Sequence, residues 1–153
     1  MSELKDRLRT DLTAAMKARD TLRAGTLRMV LTSITNAEVA GKEARELSDD
    51  DVLTVLASEA KRRREAAEAF DEGRRPELAQ KERDEAAVIA EYLPAQLSEE
   101  EIADIVSSTI DELGVAGDGM KAMGRVMGAV QARTKGRADN GVVAAQVKRA
   151  LGA

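Results

Sequence analysis

The stretch that decides the fold is YLPAQLSEEEI, residues 92–102, because it ends one helix and begins another. Pro94 has no amide hydrogen and biases Leu93 away from helical backbone angles, so the preceding helix is predicted to end near Tyr92. We therefore predict a hinge formed by Tyr92, Leu93 and Pro94, with the Tyr92 side chain packed or tethered through its hydroxyl group.

A second helix is predicted to start directly after this break. Ser98 followed by Glu101 is a capping-box pattern, which satisfies the free amide groups at a helix N-terminus. The chain is thus predicted to consist of an N-terminal helical domain at residues 1–93, a hinge at 94–97 and a small three-helix domain at 98–153.

The apolar residues elsewhere recur at helical spacing, and none of them alternate as they would in a strand. This pattern predicts an all-α fold of about seven helices, with an N-terminal bundle. Met16 in the first helix and Leu78 in the fourth are placed on inner faces. In the long third helix, Glu59 and Arg63 are four residues apart and are predicted to pair on a solvated face.

Composition excludes several kinds of chemistry. The 153 residues include no cysteine and no histidine, which removes disulfides, thiolate nucleophiles and the commonest zinc ligand. The acidic runs Asp49–Asp51 and Glu99–Glu101 begin helices, where they favour capping over metal binding. We predict a non-catalytic protein without metal or cofactor. The charged N-terminus and the lack of a long apolar run predict a cytoplasmic location without membrane contact.

Charge is distributed unevenly in the C-terminal third. Residues 98–118 contain seven acidic side chains and no Lys or Arg, whereas residues 119–153 contain seven Lys or Arg and one acidic residue, Asp139. A short basic segment attracts polyanions such as RNA through phosphate contacts. The alternative is that the acidic helix faces the basic ones and neutralises them.

Three parts of the chain resemble the GatB/YqeY family, and its free-standing YqeY-like members most of all. The resemblance is carried by Leu27-Arg28-Met29 with Asn36-Ala37-Glu38, by Glu91 to Leu97, and by Met123 to Gly128 with Thr134 to Asp139, Val142, Val143 and Leu151. The family implies an all-helical fold in two parts. In GatB-type enzymes the related tail helps to hold tRNA during glutamine-dependent amidation, while catalysis lies in other domains.

This resemblance implies that the basic C-terminal unit binds tRNA. The candidate residues are Arg125, Arg133, Lys135, Gly136, Arg137 and Lys148. Position 139 is Asp here, where the GatB tail tends to have Asn followed by Pro. Two alternatives stay open: Gly136 can simply terminate a helix, and Gly124 with Gly128 is expected to permit close helix packing. The competing function is a protein-interaction adaptor in a translation or amidotransferase assembly.

Overall fold

The computed structural model of the protein describes residues 2–152, and this part of the chain contains seven α-helices, one short 3₁₀ helix and no β-strand. The helices are α1 (Glu3–Lys17), α2 (Thr21–Glu38), α3 (Asp49–Glu72), α4 (Pro76–Ala90), α5 (Glu99–Leu113), α6 (Met123–Thr134) and α7 (Asn140–Ala150), and the 3₁₀ helix is Gly119–Ala122. The predicted all-α fold is confirmed. The chain divides into two compact units, Met1–Leu93 and Pro94–Ala153.

Helices α1 to α4 form the first unit around an aliphatic core. Leu8, Leu27, Ile34, Leu56 and Ile89 are all fully buried there. Burying each such side chain contributes about 1.5–3 kcal/mol relative to leaving it in water. The most extensive packing joins α3 to α4, which a short link connects.

Two apolar side chains predicted on inner faces lie on the surface instead. Leu78 of α4 is 39% exposed, whereas its neighbour Ala79 is completely buried. Successive helical residues are turned about 100° apart, so both cannot face the same neighbour. In α1, Met16 is exposed and Ala15 is buried. The predictions for Leu78 and Met16 are wrong because alanine occupies the contact positions, where a small side chain lets helices approach closely.

A charged network is buried between α2, α3 and α4. Glu59 and Glu85 are 5% and 7% exposed, and guanidinium nitrogens of Arg63 lie 3.0 Å from Glu59 Oε2 and 3.2 Å from Glu85 Oε2. Ser33 Oγ donates a hydrogen bond of 2.9 Å to Glu59 Oε1. The predicted pair of Glu59 with Arg63 is present, but its predicted solvated position is wrong, since residues from α2 and α4 complete the network.

The end of α4 is tied to α1 by the single tyrosine of the chain. Tyr92 is buried, and its hydroxyl group donates a hydrogen bond of 2.5 Å to Asp11 Oδ2. The Arg7 guanidinium carbon lies 4.7 Å from the ring centroid. Burial first, and the Asp11 hydrogen bond second, raise the pKa of Tyr92 above its usual value. The interpretation of Tyr92 as a packed, tethered side chain is confirmed.

Helix α3 begins with a complete capping box. Ser48 Oγ accepts from the Asp51 amide, and the Asp51 carboxylate accepts from the Ser48 amide. The two hydrogen bonds with Ser48 hold the pKa of Asp51 below its usual range. The predicted capping role of this acidic run is confirmed.

Two further carboxylates anchor the ends of helices in the first unit. The Lys5 ammonium donates to Glu38 Oε1 at 2.7 Å, and the Leu47 amide donates to Glu38 Oε2 at 3.2 Å. The Asp49 carboxylate accepts from the Ser2 hydroxyl group. The Lys5 hydrogen bond lowers the pKa of Glu38, and the Ser2 hydrogen bond lowers that of Asp49.

These shifts predict acid sensitivity of a definite sign. A carboxylate with a lowered folded-state pKa stabilises the fold fully above its unfolded-state pKa, and the contribution is lost as pH falls through the folded-state value. Urea unfolding at pH 6 and pH 3 should therefore give a smaller free energy of unfolding at pH 3, and Glu38→Gln should reduce the difference. Glu43→Gln, an exposed substitution in the following loop, is the control. An unchanged pH dependence in Glu38→Gln would contradict the assignment.

The second unit is built from α5, the 3₁₀ helix, α6 and α7. Its core consists of branched aliphatic side chains from all three α-helices, with Val106, Val126, Val130, Val143 and Val147 essentially inaccessible to solvent. The backbone of Gly114 has a φ of +67° at the end of α5, a conformation that glycine adopts without steric cost. Among the described residues, no helix is both long and apolar enough to cross a membrane.

Candidate nucleic-acid interface

The outer face of α6 combines basic and very small side chains. Gly124, Gly128 and Ala132 are exposed and recur at intervals of four, and the exposed Arg125 lies three residues before Gly128, so these residues share one side of the helix. Helix α6 contains two basic residues, Arg125 and Arg133, and no acidic residue between Met123 and Thr134. Because Gly124 and Gly128 are exposed and have no side chain, they leave the helix backbone accessible next to the exposed Arg125.

The glycines of this face do not serve helix packing. A Cβ atom built on Gly124 or Gly128 would meet nothing within 4 Å. The expectation that they permit close packing within the fold is therefore wrong. Instead they leave an open strip, which we call the glycine strip and define as Gly124, Gly128 and Ala132. A partner backbone can approach the helix closely along it.

The turn between α6 and α7 is bound to the segment that follows Leu93. The Leu97 amide donates to Arg137 O at 2.8 Å, and Gln96 Nε2 donates to Gly136 O at 2.9 Å. Arg137 Nε donates a long hydrogen bond of 3.4 Å to Ala95 O. Residues 94–97, predicted as a hinge, are thus held by this turn inside the second unit.

Gly136 is required by the conformation of that turn. Its φ is +73°, in the left-handed region where glycine has no side chain to clash. A Cβ atom there would be 3.8 Å from Pro94 Cγ, which is an ordinary contact. Backbone conformation therefore explains this glycine without any ligand, as the helix-terminating interpretation requires.

The cations proposed from the sequence occupy different settings. Lys135 and Lys148 are exposed, and Arg137 is half-buried. Arg133 is exposed, but its Nη1 donates to Thr109 Oγ1 of α5 at 3.3 Å. Lys148 is in the last turn of α7, roughly 12 Å along the helix from the α6–α7 turn by its rise per residue. The structure therefore groups Lys135, Gly136 and Arg137, and places Lys148 at the other end of α7.

The acidic side chains of α5 do not form ion pairs with the exposed cations Arg125, Lys148 and Arg149. Among the described residues, no ion pair joins an acidic side chain of α5 to any of these three cations. Glu101 is occupied by the Ser98 capping box, whose hydrogen bonds, with a smaller contribution from the Arg137 charge, lower the pKa of Glu101. The predicted capping box at Ser98 is confirmed.

Asp139 also has a local structural role. Its Oδ1 accepts a hydrogen bond of 2.8 Å from the Gly141 amide, so it caps α7. A negative charge at a helix N-terminus is stabilised by the helix dipole. At this position, where the chain departs from the GatB pattern, Asp139 therefore serves as the N-cap of α7. No group of three or more acidic side chains among residues 2–152 has the arrangement of a metal site.

A known protein family matches almost the whole length of this chain. The model of the Yqey-like protein family matches residues 5–151. The chain belongs to the YqeY-like protein family. The resemblance to YqeY-like proteins inferred from three segments of the sequence is thereby confirmed.

Relatives of this YqeY-like chain occur in fungi. It is 30% identical over 152 residues to "Altered inheritance of mitochondria protein 41, mitochondrial" of Pyrenophora tritici-repentis, covering 96% of this chain and 80% of the relative. The proteins of that name from Lachancea thermotolerans and Kluyveromyces lactis are 36% and 33% identical over 69% and 68% of this chain. The matched regions span 57% of each of those two relatives.

Proposed function

We propose that this YqeY-like chain is a non-catalytic accessory protein that binds RNA, with tRNA as the favoured class, through the second unit. The observation that carries the proposal is that the outer face of α6 presents Arg125 beside the open glycine strip, and that Lys135 and Lys148 are further exposed cations of the same unit. Lys and Arg that contact phosphates release counterions, which gives affinity without sequence readout.

The residue types restrict the mode of RNA recognition. Only two aromatic side chains occur in the chain, Phe70 and Tyr92, and both belong to the first unit. Tyr92 is committed to Asp11. Since a platform for stacking several bases needs several aromatic rings, the proposed contacts are to phosphate and to the shape of a folded RNA. The proposal places this chain in the cytoplasm. The names of the fungal relatives, by contrast, contain the word mitochondrial.

Salt-dependent titration with unacylated and aminoacylated tRNA tests the proposal. Replacing Arg125, Lys135 and Lys148 together with glutamine should weaken binding by at least about tenfold. The slope of log affinity against log salt should also become less steep, by the amount expected for the loss of up to about three phosphate contacts. A control with Lys17, Lys42 and Arg64 changed to glutamine removes the same charge from exposed positions of the first unit. Equal weakening in both variants, or no binding by the unaltered protein at low salt, would refute the assigned surface.

A protein-interaction adaptor is the second candidate, and the glycine strip is the observation that favours it. Met120 is 45% exposed near the start of this face, and small residues let a partner helix approach closely. Changing Gly124 and Gly128 to glutamine would fill the strip without changing charge. The unaltered protein would then co-purify with a stoichiometric protein partner even after nuclease treatment. If the glycine variant loses that partner but keeps its affinity for tRNA, the result would favour the adaptor over RNA binding.

A further inference from the structure

A groove between α1 and α2 in the first unit has no role in the proposed RNA interface. Its volume is about 330 Å³, which is at the lower end of the range for small-molecule sites. Arg28 and Asn36, two residues that carry the family resemblance, line this groove. Both are exposed, so their polar groups are accessible to a ligand in the groove.

The charged groups that line the groove are all cationic. They are Lys5, Arg9 and Arg28. Lys5 is bound to Glu38, whose second oxygen accepts from the Leu47 amide. Glu38 is therefore engaged through both oxygens. The side chains of Arg9 and Arg28 form no ion pair or hydrogen bond with any residue that the structure describes.

The uncharged lining completes a mixed site. Leu12 and Leu31 are partly buried, pack against the core of the first unit and provide the apolar floor of the groove. The Thr35 hydroxyl group donates to Leu31 O at 3.0 Å, which leaves its oxygen free to accept a hydrogen bond. Asn36 adds an amide with both donor and acceptor capacity. Two guanidinium groups over an apolar floor match an anionic group attached to an apolar or planar body.

We propose that this groove binds a small organic anion, of up to about nucleotide size, whose phosphate or carboxylate group pairs with Arg9 and Arg28 and whose body covers Leu12 and Leu31. The lining favours an anionic ligand over a cationic one, because it contains three cations and no carboxylate that could attract a cation. The apolar floor distinguishes the site from a simple phosphate-binding surface. This site is on the first unit and is independent of the proposed RNA interface on the second.

The test is a titration of the isotope-labelled full chain, followed by amide chemical shifts, with inorganic phosphate, adenosine monophosphate and octanoate. We expect saturable shifts confined to α1 and α2 for at least one organic anion, and weaker binding of inorganic phosphate, which has no apolar body. Binding of the nucleotide alone would assign a phosphate group, and binding of octanoate alone would assign a carboxylate.

Variants separate a built site from general charge attraction. Arg9→Gln and Arg28→Gln should each raise Kd for the bound probe by about tenfold, as expected for loss of one charge-assisted contact. Lys17→Gln, an exposed change in the last turn of α1 outside the groove, should leave Kd unchanged. Absence of saturable shifts with all three probes, or equal effects of the three variants, would overturn the proposal. So would loss of tRNA binding in Arg9→Gln and Arg28→Gln without any effect on the small anions.

Discussion

Replacing Arg63 with methionine is expected to lower the free energy of unfolding by about 3–5 kcal/mol. The substitution keeps a long unbranched side chain but leaves Glu59 and Glu85, both more than nine-tenths buried, without their shared cation. A buried carboxylate loses its hydration, and it needs a partner charge to offset that loss. Urea denaturation at neutral pH measures the effect.

Arg62→Met is the matched control for this prediction. Arg62 is the preceding residue on α3 and also reaches Glu59, at 3.4 Å from Oε1, but its side chain is 70% exposed whereas that of Arg63 is 13% exposed. An exposed ion pair contributes only about 0–1 kcal/mol. Adding Glu85→Gln to Arg63→Met should recover part of the loss by removing one unpaired charge. Equal destabilisation by Arg62→Met and Arg63→Met would contradict the buried network.

Leu56→Ala is the second large prediction, with an expected loss of about 2–5 kcal/mol in the free energy of unfolding. Leu56 is completely buried in the core of the first unit. Leu78→Ala removes the same atoms from α4, where the side chain is partly exposed, and should change stability by less than about 1 kcal/mol. A comparable loss from both substitutions would show that Leu78 packs inward, as the apolar spacing had suggested.

The contrast between these leucines explains which parts of the fold were predictable from sequence. Helix starts marked by Ser48 and Ser98 were predicted correctly, because capping is a local interaction between residues close in sequence. Helix rotation was less predictable. Ala79 and Leu78 are both compatible with an apolar stripe, and the choice depends on how closely α3 and α4 approach each other, which is a tertiary property.

The candidate site was predictable only in part for the same reason. The excess of Lys and Arg after residue 119 is visible in the sequence, but the bonding of each cation is not. Arg133 engages Thr109, and the backbone around Arg137 holds Leu97. The groove was missed because Arg9 and Arg28 are far apart in sequence and become neighbours only when α1 packs on α2.

The position of Tyr92 determines what spectroscopy can report about this chain. It contains one tyrosine and no tryptophan, and that tyrosine belongs to the first unit, with its hydroxyl group bound to Asp11. Tyrosine fluorescence therefore reports the unfolding of Met1–Leu93, and it does not report the unfolding of Pro94–Ala153, which contains no tyrosine or tryptophan. Far-ultraviolet circular dichroism detects the helices of both units. Two transitions that fail to coincide would reveal that the units unfold separately, so one unlabelled sample can distinguish them.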